Sequence, residues 1–246
     1  MISRCLFISL IVLSLALASQ SLAQMRDKPS SEEDVAIAFF KTAGTNPDFD
    51  LWAKGTQEYK TTAPARVGEY MFREKQRLMR QWQRYDNQEP IIDVKAPVLL
   101  EVKATTDQEG NESHWMYISF GNDEAVYFPY KFQEYQIAVI PQMIETLMIQ
   151  PLQKEQYDMI LGEFENKAVG NGMMYIQLKP VKAYIHQPYK IDNKDQWALL
   201  ADIATMSIKS MKSGTPYWTY SADWYTSPVT EELRDLFQTP SQGVAQ

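Results

Sequence analysis

The chain predicts an α+β fold, with an N-terminal helical segment packed on an antiparallel β-sheet or sandwich built of hairpins. Three observations carry this expectation. Apolar residues recur at helical spacing between residues 31 and 86. From Pro90 onward the vocabulary changes to short runs of Val, Ile, Leu and aromatic residues, punctuated by Gly, Asn and Pro. Helices come first and strands later, a segregation that excludes a doubly wound βαβ design.

The first residues, Met1-Ile2-Ser3-Arg4, give a short basic start. An apolar run of 13 residues follows from Leu6 to Ala18, interrupted by Ser9 and Ser14. That run is too short to cross a hydrocarbon core of ~30 Å as a helix. Ser21-Leu22-Ala23 then presents the small-x-small pattern that signal peptidase reads. Residues 1–23 are therefore expected to be a cleaved secretory signal. The destination it implies is the bacterial periplasm first, and otherwise the secreted fraction.

Residues 24–89 are expected to form the helical segment. Ser30 or Ser31 caps a first helix whose opening acids, Glu32, Glu33 and Asp34, complement the positive end of the helix dipole. Val35, Ile37, Ala38, Phe39 and Phe40 are its buried residues, and Gly44 with Asn46-Pro47 stops it. A short helix is expected around Phe49 to Lys54. The clearest helix runs from about Pro64 to Tyr85, with Thr62 as its cap and Pro64 in the first turn, where a missing N–H costs nothing. Val67, Met71, Glu74, Leu78, Trp82 and Tyr85 define one face, apolar except for Glu74.

Residues 90–240 are expected to be β-rich with short helices. Ile91 to Ala104 and Trp115 to Phe120 pair across the turn Asp107-Gln108-Glu109-Gly110-Asn111. Val126 to Tyr130 and Tyr135 to Ile140 follow as strands, then a short helix over Met143 to Ile149. Gly170-Asn171-Gly172 predicts a second hairpin with arms 159–168 and 173–186. A last hairpin pairs Trp197 to Met211 with Tyr217 to Tyr225 across Ser213-Gly214. Trp197, Leu200, Ala201, Ala204 and Ile208 also match a helical period, so residues 197–210 read as strand or helix, with strand preferred. Thr230 caps a closing helix, Glu231 to Phe237, and 241–246 is expected to be a disordered tail. The triplet Met-Tyr-Ile occurs twice, at 116–118 and 174–176.

Composition narrows function by exclusion. Removing 23 of 246 residues leaves 223, enough for a sizeable core. Only Arg4 of the 24 basic residues lies in the expected signal, so 23 bases face 31 acids, a net charge of −8. An acidic balance without a Lys/Arg block argues against nucleic acid as a partner. The one cysteine, Cys5, lies in the signal, so the processed chain has no thiol for a disulfide, a Cys-ligated metal or a nucleophile. No later segment has the length and apolarity of a membrane span. No phosphate-cradling glycine loop, nucleophile elbow or zinc-helix motif is present, and no cofactor or metal is expected.

The remaining chemistry is sparse. Asn46-Pro47-Asp48-Phe49-Asp50 has half the carboxylate spacing of a calcium loop, but Leu51 occupies the turn-glycine position, so helix capping is the better reading. Asp192-Asn193-Lys194-Asp195 reads as a turn. Of two histidines, His114 and His186, the latter reads as a strand-end packing residue. Glu163 and Glu165 would share a face if that segment were a strand, which leaves open a carboxylate-dependent glycan hydrolase. Two features point instead to binding. Arg73, Arg77, Arg80 and Arg84 form a stripe suited to an anionic surface, or else a solvated helix face. Tyr217, Trp218, Tyr220, Trp224 and Tyr225 form an aromatic cluster, with Trp218 and Tyr220 on one strand face and Trp224 beyond them. The expected function is an exported, non-catalytic module that binds a protein or a cell-envelope component. The alternative is an envelope-directed hydrolase.

Overall fold

Six consecutive residues of the first helix, Val35 to Phe40, are buried. A helix that is apolar all round must be enclosed, and this one, α1 (Glu32–Thr42), lies between a β-sheet and other helices. Ser31 caps it in a capping box, its Oγ accepting from the Asp34 N–H while the Asp34 carboxylate accepts from the Ser31 N–H. α2 (Phe49–Gly55) delivers Trp52 into the core, where its ring meets Phe40, Phe49 and Phe132 edge-on. α3 (Gln57–Thr61) and one turn of 3-10 helix, Pro64–Arg66, lead into α4 (Val67–Asn87). Thr62 does not cap α4 as expected. It closes α3, its hydroxyl donating to the Glu58 carbonyl, because the chain turns twice before α4 begins.

The computed structural model describes residues 28–87, 90–120 and 126–225. The expected signal (1–23), the closing helix (231–237) with its Thr230 cap, and the tail (241–246) lie outside them. The described residues fall into two units, Pro29–Tyr220 and a second that includes Lys28 and residues 221–225.

The larger unit carries a curled sheet of nine strands: β1 (Ile92–Thr106), β2 (Glu112–Ser119), β3 (Phe128–Phe132), β4 (Tyr135–Pro141), β5 (Ile149–Leu152), β6 (Val169–Ala183), β7 (Tyr189–Ile191), β8 (Lys194–Ser210) and β9 (Pro216–Ser221). Their order is β3-β4-β8-β6-β1-β2-β5, with β7 and β9 also on β8. The α+β class holds, but the sheet is mixed, because β4 and β8 run parallel, with Ile137 opposite Trp197 and Val139 opposite Leu199. The segment between these two strands contains a helix and three further strands, long enough for the crossover a parallel pair requires. Register shifts between β6 and β8 at Gln177/Leu178 and Pro180/Lys182 bend the sheet.

Residues 197–210 are strand. The hairpins at Asp107–Asn111 and at Ser213-Gly214 form, as does the turn at Asp192-Asn193, where both residues have positive φ. The short helix after β4 is a single 3-10 turn, Ile144–Leu147. The hairpin expected at Gly170-Asn171-Gly172 does not form. Residues 154–163 are a helix, α5 (Lys154–Glu163), and the glycines lie inside β6. Neither has positive φ. A Cβ on Gly170 would overlap the Phe164 ring, and one on Gly172 would press on Leu100. These glycines admit close approach between layers, a role glycine fills in strands as readily as in turns.

Among the described residues, the helices lie on one face of the sheet. Val94, Val98, Leu100 and Val102 of β1, Met116 and Ile118 of β2, and Met174, Ile176 and Leu178 of β6 pack beneath them into one core with Phe39, Leu78 and Ile160. Burying each such side chain is worth about 1.5–3 kcal/mol.

Candidate functional site

The arginine stripe lies on α4 and faces α3. Thr56, Glu58, Tyr70, Arg73, Glu74, Arg77 and Arg80 line an open hollow of about 610 Å³. Two of the four expected arginines are committed to acids. Arg73 pairs with Glu58 at 2.5 Å and lies over the Tyr70 ring. Arg77 donates to both Glu33 oxygens at 2.7 Å and to Glu74 at 2.7 and 3.0 Å. The two carboxylates hold its guanidinium charged far above any accessible pH. Glu74, the one acid on the apolar face of α4, is buried so that it can reach Arg77. Among the described residues, Arg80 and Arg84 have no acidic partner. Both stripe readings are therefore incomplete, because half the stripe ties α4 to α1 and α3.

The aromatic cluster divides. Tyr217 is buried against Phe164, and its hydroxyl donates to Glu163 at 2.7 Å. Burial raises the Tyr217 phenol to about 12. Strand alternation sends Trp218 and Tyr220 to the opposite face, where their rings stack with planes 16° apart and centroids 6.3 Å apart. Trp224 belongs to the second unit. It is exposed, with its ring edge-on to Tyr225 at 5.9 Å.

Trp218 and Tyr220 belong to a larger surface. On the sheet face turned away from the helices, cross-strand rows can be read from the register. Ile149, Tyr117, Glu101 and Val169 stand side by side across β5, β2, β1 and β6. Pro151, Trp115 and Lys103 form the next row. Leu99 adjoins Asn171, Met173 lies between Pro97 and Lys209, and Tyr175 lies between Lys95 and the buried Ser207. Three lysines lie over tyrosine rings, Lys103 on Tyr117 at 4.9 Å and Lys95 and Lys209 on Tyr175 at 5.0 and 4.6 Å. Leu99, Val169 and Ile149 are 42, 46 and 50% exposed at its centre and edge. The Met-Tyr-Ile echo falls here, both tyrosines outward under lysines and both Met and Ile inward. Sequence reasoning missed this face, and the available signal was the alternation of outward Trp115 and Tyr117 with inward Met116 and Ile118.

The carboxylate pair does not share a strand face. Glu163 ends α5, and Glu165 sits in the following turn with φ of 58°. The Glu163 carboxylate accepts hydrogen bonds from Ser210, from Ser213 at 2.9 Å and from Tyr217, and these hold it below the usual carboxylate range. It pins α5 to the β8–β9 hairpin. His114 is buried, its ring 4.6 Å from that of Tyr157. Asp48 caps α2, its Oδ1 accepting from the Asp50 and Leu51 N–H groups. Among the described residues no cluster of three acidic, His or Cys side chains could hold a metal ion, and no helix is long and apolar enough to cross a membrane. No family model, curated protein or solved structure matches the chain.

Proposed function

We propose that the protein is an exported, non-catalytic module that binds a protein or cell-envelope component through the helix-free face of its sheet. The observation that carries this reading is the concentration on that face of exposed aliphatic residues, aromatic rings and lysines, on a chain whose overall charge is −7. Exposed apolar groups gathered on one surface mark interaction sites more often than apolar residues scattered singly. Export rests on the basic start, apolar run and small-x-small motif of residues 1–23. The stripe contributes Arg80 and Arg84 as a secondary anionic contact, because Arg73 and Arg77 are held by acids of the protein itself.

Photo-crosslinking in the native envelope tests this directly. A photoreactive residue at Leu99 should give adducts, while one at the exposed Met143, at the start of the 3-10 turn after β4 and outside the rows of this face, should not. Adducts from Arg80 alone, or from none of the three positions, would overturn the reading.

A further inference from the structure

Resting on that reading, we propose that the occupant of the helix-free sheet face is the surface of an anionic lipid bilayer. Three features converge on it. Exposed Leu99, Val169 and Ile149 supply apolar area, and Trp115 and Tyr117 flank them with rings of the kind that settle at the boundary of headgroups and acyl chains. Lys95, Lys103 and Lys209 surround this centre; of the two acids beside them, Glu101 is paired with Lys103 at 3.0 Å and Asp93 is buried and accepts from Gln177, which leaves the lysines in excess. The face is thus basic on an acidic chain, complementary to an anionic surface and not to the rest of the protein.

The backbone beneath is equally suited. β1, β6 and β8 are hydrogen-bonded on both sides, so the face can enter the headgroup layer without exposing unpaired N–H or C=O groups. The edge strand β5 is four residues long and contains Pro151, which limits pairing with another chain. The lysine heads, now over tyrosine rings, can swing to lipid phosphates while their stems stay along the apolar surface. A folded protein partner would need shape complementarity and paired polar groups, and the middle of this face offers aliphatic side chains that need neither.

The test is co-sedimentation of the chain, purified as its own cell processes it, with two kinds of vesicle. One mixes phosphatidylglycerol with phosphatidylethanolamine, and the other is phosphatidylcholine alone. Binding to the first and not the second is expected, with partitioning reduced about fivefold per lysine reversed. Lys95→Glu with Lys209→Glu should therefore lose it by more than tenfold, whereas Lys54→Glu, at an exposed position on α2, should retain it. Leu99→Ser with Ile149→Ser removes apolar area without altering charge. It should also weaken binding, which keeps the test decisive if the lysine variant fails to fold. Absence of vesicle binding, or binding indifferent to both double variants, overturns the inference. Protein adducts from Leu99 without vesicle binding would overturn the bilayer and leave the binding face standing. Neither adducts nor vesicle binding would remove both.

Discussion

The Arg77 guanidinium meets the Glu33 carboxylate fork to fork, with both N···O distances 2.7 Å, across 44 residues of sequence. It also holds Glu74, so one side chain joins α4 to α1 and satisfies a buried acid on its own helix. Bidentate pairs with fixed geometry are the surface ion pairs that contribute measurably.

Arg77→Glu should therefore lower stability by about 1–2 kcal/mol, since it replaces the bridge with a third carboxylate. Arg80→Glu, one turn on and without an acidic partner among the described residues, should change stability by no more than about 0.5 kcal/mol. Urea unfolding of both variants checks this, and a double-mutant cycle with Glu33→Gln should show coupling for Arg77 only. Equal effects would return the whole stripe to a solvated face.

Gly170 and Gly172 predict a second difference. Alanine at Gly170 meets the rigid Phe164 ring, and at Gly172 it meets the movable end of Leu100. Overpacking costs about 1–3 kcal/mol, so both variants should be destabilised, Gly170→Ala the more. Phe164→Leu should recover part of the loss for Gly170→Ala and none for Gly172→Ala, measured as the urea midpoint. A turn requiring positive φ would show no such rescue.

These glycines also show where legibility ended. Helix α4 was readable because its face repeats within the helix, and the hairpins at Asp107–Asn111 and Ser213-Gly214 because turn chemistry is local. β8 read ambiguously because Ala201, Ala204, Met206 and Ile208 are all buried, and a continuous apolar run hides its period. Gly170-Asn171-Gly172 misled because a glycine needed for Phe164 looks the same in sequence as one needed for a turn. The candidate face was hidden for a different reason. Lys95, Tyr175 and Lys209 come from three strands, and only the register between those strands brings them together.

Glu163 yields a pH prediction. Its folded-state pKa lies below the ordinary 4.5, chiefly through the Ser210 and Tyr217 hydrogen bonds. A depressed carboxylate stabilises the fold fully above its unfolded pKa and loses that contribution as pH falls through the folded value. Wild type should thus melt higher than Glu163→Gln by a constant margin above about pH 5. That margin should narrow on acidification below 4.5. Thermal melts of the two proteins across this range check it, and a margin that grows toward acid would refute the assignment.

Asp48 separates capping from cation binding. Its Oδ1 accepts from two N–H groups at the start of α2, both at 3.0 Å, and α2 carries the buried Trp52. Asp50 is turned away to Lys75 at 2.9 Å, so the two acids do not act together. Loss of an N-cap costs about 1 kcal/mol, and Asp48→Ala should show that loss in urea, with Asp48→Asn retaining most of the stability because an amide oxygen can accept the same bonds. Millimolar calcium should leave the melting temperature of wild type unchanged, since a site binding the ion only when folded would raise it. A calcium-dependent rise that disappears in Asp48→Asn would establish the half-loop as a cation site and displace the capping role.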